Sequence, residues 1–150
     1  MQAQMLAPAA VLVVWTLIVL LWVLVTRLPA FGKVGFDMSK AAPGGRYQDL
    51  ERTMPDRVNW KSHNYTHLME QPTIFYPAVV VIAIMGAGGI DVLLAWIYVG
   101  LRIVHSLWQG LINTIPVRVT LFLLSTVALI GLALRAAMAT LLADPSALPA

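Results

Sequence analysis

The 150-residue chain contains no cysteine, which excludes disulfides, a thiolate nucleophile of its own and cysteine metal ligands. It is also poor in charge. Asp, Glu, Lys and Arg make up 11% of its residues, less than half of the about 25% usual in soluble domains. Residues 1–26 and 71–90 carry no charged side chain, and residues 92–143 carry only Arg102, Arg118 and Arg135. This distribution excludes an ordinary water-soluble globule. A basic run is missing too. The net charge is +3, yet Asp37, Asp49, Glu51 and Asp56 are interleaved with the lysines and arginines, so no nucleic-acid partner is expected. The N-terminus has no basic region ahead of its apolar stretch, and that stretch is too long for a secretory signal, so it is read as a retained first span.

Apolar residues fill the space that charge leaves: 59% of the chain is hydrophobic and the mean hydropathy is +0.79. A helix needs about 20 apolar residues to cross a bilayer, and four segments meet or approach that length. They run from about 6 to 26, 62 to 85, 91 to 112 and 116 to 143. The second opens as a polar turn at Ser62 and becomes apolar from Gln71. The Gly86-Ala87-Gly88-Gly89 run ends it, Asp91 is expected to be the N-cap of the third helix, and Pro116 is pre-shaped for the first turn of the fourth. The expected fold is an all-α membrane protein, a four-transmembrane-helix bundle forming a single domain over 1–150.

All the remaining Lys and Arg residues, from Arg27 to Lys61, lie in the 27–61 loop. The positive-inside rule places this loop in the cytoplasm and both chain ends outside. A loop of that length is functional or disordered more often than not, and its Tyr47–Arg57 part is expected to form a short interfacial helix.

At 100° per residue, Asp91, Tyr98, Arg102, His105, Gln109 and Asn113 fall on one face of the third helix. An arginine near a helix centre costs about 2.5–3.5 kcal/mol on insertion scales, so Arg102 must face protein, water or an anion. His63, His67 and Glu70 form a matching stripe on the second helix, and Arg118 and Ser125 lie seven residues apart on the fourth. One reading of Arg102 and Glu70 is a structural ion pair between helices. A second reading takes His63, His67, Glu70 and His105 as a metal site, but the paired carboxylates of four-helix metal bundles are lacking, and no metal is expected. Gln109 and Asn113 read as interhelical hydrogen-bonding groups.

The stretch Asn64-Tyr-Thr-His67-Leu-Met-Glu70-Gln-Pro-Thr-Ile-Phe75-Tyr-Pro, then Ala95-Trp-Ile-Tyr-Val-Gly-Leu-Arg102-Ile-Val-His105-Ser, and then Asn113 and Arg118, resembles the membrane-associated proteins in eicosanoid and glutathione metabolism, the MAPEG family, and its bacterial members in particular. The resemblance covers about residues 57–130. It implies a homotrimer of four-helix protomers in the bacterial inner membrane, with both termini periplasmic and glutathione bound as cosubstrate between protomers on the cytoplasmic side. Carried over residue by residue, it places Glu70, His67, Arg102 and His105 around the tripeptide and makes Arg118, near the glutathione sulfur, the catalytic cation. It further implies a transferase or peroxidase acting on a lipophilic small molecule, either an electrophile or a lipid hydroperoxide.

Residue chemistry agrees with that set. Glutathione has two carboxylates and an ammonium, which call for guanidinium and carboxylate partners, and a cation near its thiol favours the reactive thiolate. The pattern departs from the family at four positions. Val119 and Phe122 stand where some members carry a serine or tyrosine able to bond the sulfur, His67 stands where asparagine is common, and His63 replaces an arginine. Those departures keep an alternative open, a non-catalytic membrane subunit or scaffold that retains the fold.

Overall fold

The computed structural model describes residues 1–143, leaving aside the side chains of Met38 and Tyr47; residues 144–150 of the expected domain lie outside the described residues. Helix α1 spans Gln2–Lys33, α2 Asp56–Glu70, α3 Pro72–Met85, α4 Gly89–Leu111 and α5 Ile115–Leu141, and two short 3-10 helices, Met38–Lys40 and Tyr47–Thr53, lie between α1 and α2. Gln71 keeps helical dihedrals between α2 and α3, so the two run on as one rod. Four helices are thus long and apolar enough to cross a membrane: α1, α2 with α3, α4 and α5. The protein is all-α with a multi-pass membrane topology.

Each helix buries one stripe and leaves the rest to lipid. On α1 the buried positions Met5, Leu12, Thr16 and Val19 recur at helical spacing, while Leu17, Leu21 and Val25 point outward. On α4 the buried face contains Asp91, Tyr98, Arg102, His105 and Gln109, the polar stripe read from the sequence. Phe75 of α3 stacks on Tyr98 with ring centroids 4.4 Å apart, and Leu68, Val79, Val99 and Leu132 complete the surrounding core. Lipid tails are as apolar as these side chains, so close packing and interhelical hydrogen bonds hold such a bundle. Trp15 Nε1 donates to Ser106 Oγ at 3.0 Å between α1 and α4, and Arg27 donates to Ser62 Oγ at 2.6 Å between α1 and α2. Gly110 matters for the same reason. A Cβ there would lie 2.6 Å from Trp22 Cζ3, so the Trp22 ring of α1 packs directly on the α4 backbone at this glycine.

The helix ends differ from the sequence expectations for definable reasons. Helix α1 continues seven residues past Thr26, because Arg27 is buried against Ser62 and Phe31 and does not mark a solvated boundary. Helix α2 starts at Asp56, ahead of Ser62. Hydropathy reports where apolar character begins, and this helix begins earlier, as a polar segment. The Tyr47–Arg57 helix is a 3-10 helix ending at Thr53, since Pro55 forces Met54 into extended geometry. Asp91 is not the N-cap of α4. Gly88 occupies that position, and Asp91, at the third helical residue, accepts the Gly88 N–H at 2.7 Å and pairs with Arg135 of α5. Gly86 closes α3 with φ +105°, a left-handed conformation glycine adopts without strain.

Candidate functional site

Two of the site positions sit one turn apart on α4, Arg102 and His105. His67 lies in the last turn of α2 and Arg118 in the first turn of α5, so four polar side chains from three helices meet near the end of the bundle that carries the 34–55 connection. The turn before α5 is shaped by Asn113, which adopts φ +63°, a conformation asparagine tolerates better than most residues. Its Oδ1 accepts Arg118 Nη1 at 2.8 Å, which orients the guanidinium.

A cavity of about 340 Å³ opens between these helices, lined by His67, His105, Ile115, Arg118, Val119 and Phe122. The rings of His67 and His105 are 5.6 Å apart, and the edge of Phe122 meets His67 at 6.0 Å. The α5 side of the cavity carries the Arg118 guanidinium among the apolar Ile115, Val119 and Phe122, and α2 and α4 contribute the two imidazoles.

Arg102 lies behind this lining and not in it. It is 0% exposed, and its Nη2 donates to the backbone carbonyl of His67 at 2.6 Å. Its Nε and Nη1 have no hydrogen-bond partner among the described residues, nor does the buried Nε of Arg118. Guanidinium groups are always charged, so these donors constitute unmet positive charge inside a membrane-spanning bundle.

Glu70 falls outside the cavity lining. Its side chain is 60% exposed and its Oε2 lies 4.0 Å from His67 Nδ1. The described residues contain no Arg102–Glu70 ion pair, so the reading of those two as a helix lock is corrected: Arg102 ties α4 to α2 through the His67 carbonyl. His63 leaves the stripe for the connecting segment, with Nε2 3.0 Å from Glu51 Oε1. Ser125 is buried but bonds its own helix at the Phe122 carbonyl.

Sequence reading missed a polar relay beside the site. Tyr98 Oη donates to Gln71 Oε1 at 3.4 Å, and Gln71 Nε2 donates to Thr126 Oγ1 at 2.8 Å, which links α4, the α2–α3 junction and α5. An uncharged Gln71 followed by Pro72 in an otherwise apolar segment was the available signal. Asn64 was missed as well. It is fully buried with neither side-chain polar atom partnered among the described residues, and Nδ2 is 3.6 Å from the Cβ position of Gly110.

These features define a multi-pass helical membrane protein with a cationic, imidazole-bearing cavity near one end of its bundle. Residues 5–138 match the MAPEG family, and the chain belongs to it. That family is generally linked to glutathione-dependent lipid metabolism. No curated protein and no solved structure matches the chain.

Proposed function

We propose that the protein binds glutathione at this cavity and uses its sulfur on a lipophilic partner, either conjugating an electrophile or reducing a lipid hydroperoxide. The observation that carries this reading is the cavity itself, which gathers Arg118 and two imidazoles together with the apolar side chains of Ile115, Val119 and Phe122. A tripeptide with a thiol and carboxylates suits the cationic and imidazole groups, and a hydrophobic co-substrate suits the apolar ones. The unpartnered donors of Arg102 and Arg118 fit an anionic ligand, with Arg102 contributing its charge from behind the lining. Glu70, exposed beside His67, is the carboxylate for the glutathione ammonium, and His67 and His105 flank the tripeptide. Arg118 is the catalytic cation that favours thiolate over thiol.

Assembly follows from the same residues. A carboxylate as exposed as Glu70 on a membrane-spanning helix needs a polar neighbour, and a second and third copy of this chain supply one in a closed homotrimer. For a bacterial inner membrane, the basic residues between Arg27 and Lys61 favour an orientation with the 34–55 connection in the cytoplasm and both termini in the periplasm.

One observation favours a second reading. Val119 and Phe122 line the cavity where a hydroxyl would bond the sulfur, so a non-catalytic membrane subunit that keeps the fold is the alternative. Titration calorimetry with glutathione in detergent, followed by assays with a lipophilic electrophile and a lipid hydroperoxide, separates the two. Saturable binding with turnover of either substrate supports the enzyme. No binding favours the scaffold.

A further inference from the structure

We propose that His67 is the proton acceptor of this cavity, taking the thiol proton of a bound substrate on Nε2. This rests on the glutathione reading and deepens it by assigning the base. Of the lining side chains, Ile115, Val119 and Phe122 have no polar atom, and Arg118 is a guanidinium that stays protonated. Among the described residues, the lining offers no hydroxyl and no carboxylate. Of those lining residues, the imidazoles of His67 and His105 are the groups able to take up a proton.

The two rings have different surroundings. The charged and titratable groups around His67 are Glu70 and His63 on α2, Arg102 and His105 on α4 and Arg118 on α5. Those around His105 are Arg102, His67 and Arg118, all basic. His67 alone has a carboxylate beside it. Its Nδ1 is buried and lies 4.0 Å from Glu70 Oε2, an ion-pair distance longer than a hydrogen bond, which leaves Nε2 as the nitrogen for a ligand. Once Nε2 is protonated, Glu70 supplies the counter-charge. The last turn of α2, which carries the ring, is fixed because the His67 backbone carbonyl accepts Arg102 Nη2. A base within reach of the nucleophile is the recurrent arrangement for activating a weak nucleophile.

In the step itself, the S–H bond breaks, the proton bonds to His67 Nε2 and the electron pair stays on sulfur, next to the Arg118 guanidinium. When the thiolate adds to an electrophilic alkene, an S–C bond forms and the imidazolium returns its proton to the adjacent carbanion. In hydroperoxide reduction, sulfur takes the terminal oxygen, the O–O bond breaks and the proton goes to the departing alkoxide.

The test uses the full-length protein in detergent with glutathione as the probe. Calorimetry in two buffers of different ionisation enthalpy counts protons released on binding, and near-ultraviolet absorbance reports thiolate. The parent protein is expected to show the thiolate band at neutral pH with almost no proton released, because the proton moves from sulfur to the ring. His67→Gln should keep glutathione affinity within about tenfold, the worth of one hydrogen bond, and lose the band at neutral pH. Any thiolate it forms at alkaline pH should release a full proton to buffer. His67→Asn serves as the second variant if the first fails to fold. A full proton released by the parent overturns the proposal, as does a band unchanged in both His67 variants or one abolished only by His105→Gln. Binding without thiolate in the parent also overturns it while sparing the glutathione reading. No binding by the parent sinks both.

Discussion

Arg102, buried in the middle of the α4 stripe, spends its one hydrogen bond among the described residues on the backbone carbonyl of His67. The bond fixes the last turn of α2, where His67 and Glu70 project, and among the described residues no ion pair joins α2 to α4. Arg102→Lys keeps the charge but cannot hold the same planar geometry. Losing a hydrogen bond to a charged group costs about 1.5–3 kcal/mol, so the variant should unfold at a lower temperature in detergent. An unchanged melting curve would remove Arg102 from the structural account.

Arg118→Ala tests the sulfur-side cation. The variant should bind glutathione, since Arg102 and Glu70 remain, yet show no thiolate band at neutral pH. Phe122→Tyr places a hydroxyl at the cavity wall and should strengthen the band in the parent background. Difference absorbance at equal occupancy measures both.

Gly110→Ala forces a methyl group into Trp22. Overpacking of this kind costs about 1–3 kcal/mol. Trp22→Leu removes the ring atoms that collide, so the double variant should be more stable than the sum of the two single losses predicts. Additive losses in a thermal double-mutant cycle would place the cause elsewhere.

Asp91 accepts both the Gly88 N–H and the Arg135 guanidinium. Asp91→Asn removes the charge from a buried position, whereas Arg135→Gln alters a side chain that is 39% exposed. The second should lower the melting temperature more than the first, because it leaves the buried carboxylate without its counter-charge; the reverse order would mean that the helix cap matters more than the pair.

Assembly and orientation are checked separately. Native mass measurement of the detergent-extracted protein should give three copies, and a folded monomer would refute the trimer. A reporter fused after Ala150 should be active as a periplasmic enzyme and silent as a cytoplasmic one.

Much of the fold was legible because membrane spans are written in composition. The face of α4 was legible because 3.6-residue periodicity is local: Asp91, Tyr98, Arg102, His105 and Gln109 are all buried. Partner choice was not legible. Whether Arg102 meets Glu70 or a carbonyl, and whether Asp91 caps a helix alone or also meets Arg135 44 residues away, depends on how helices rotate about their own axes, and the period of one helix does not record that rotation. Of the site, the convergence of His67, His105 and Arg118 followed from spacing and family pattern. The retreat of Arg102 behind the lining and the outward position of Glu70 did not, because they depend on the register between helices.

The Asp91–Arg135 pair fastens α4 to α5 at the end where the chain does not join them. At that end α4 and α5 are clasped by two charged side chains and a capped turn. At the opposite end the same two helices are joined by the 112–114 turn, to which Trp108 of α4 donates at Thr114 and Arg118 of α5 donates at Asn113. Two rods fastened at both ends act as a brace. The spacing between the His105 and Arg118 sides of the cavity is thereby set by the bundle and not by whatever occupies it.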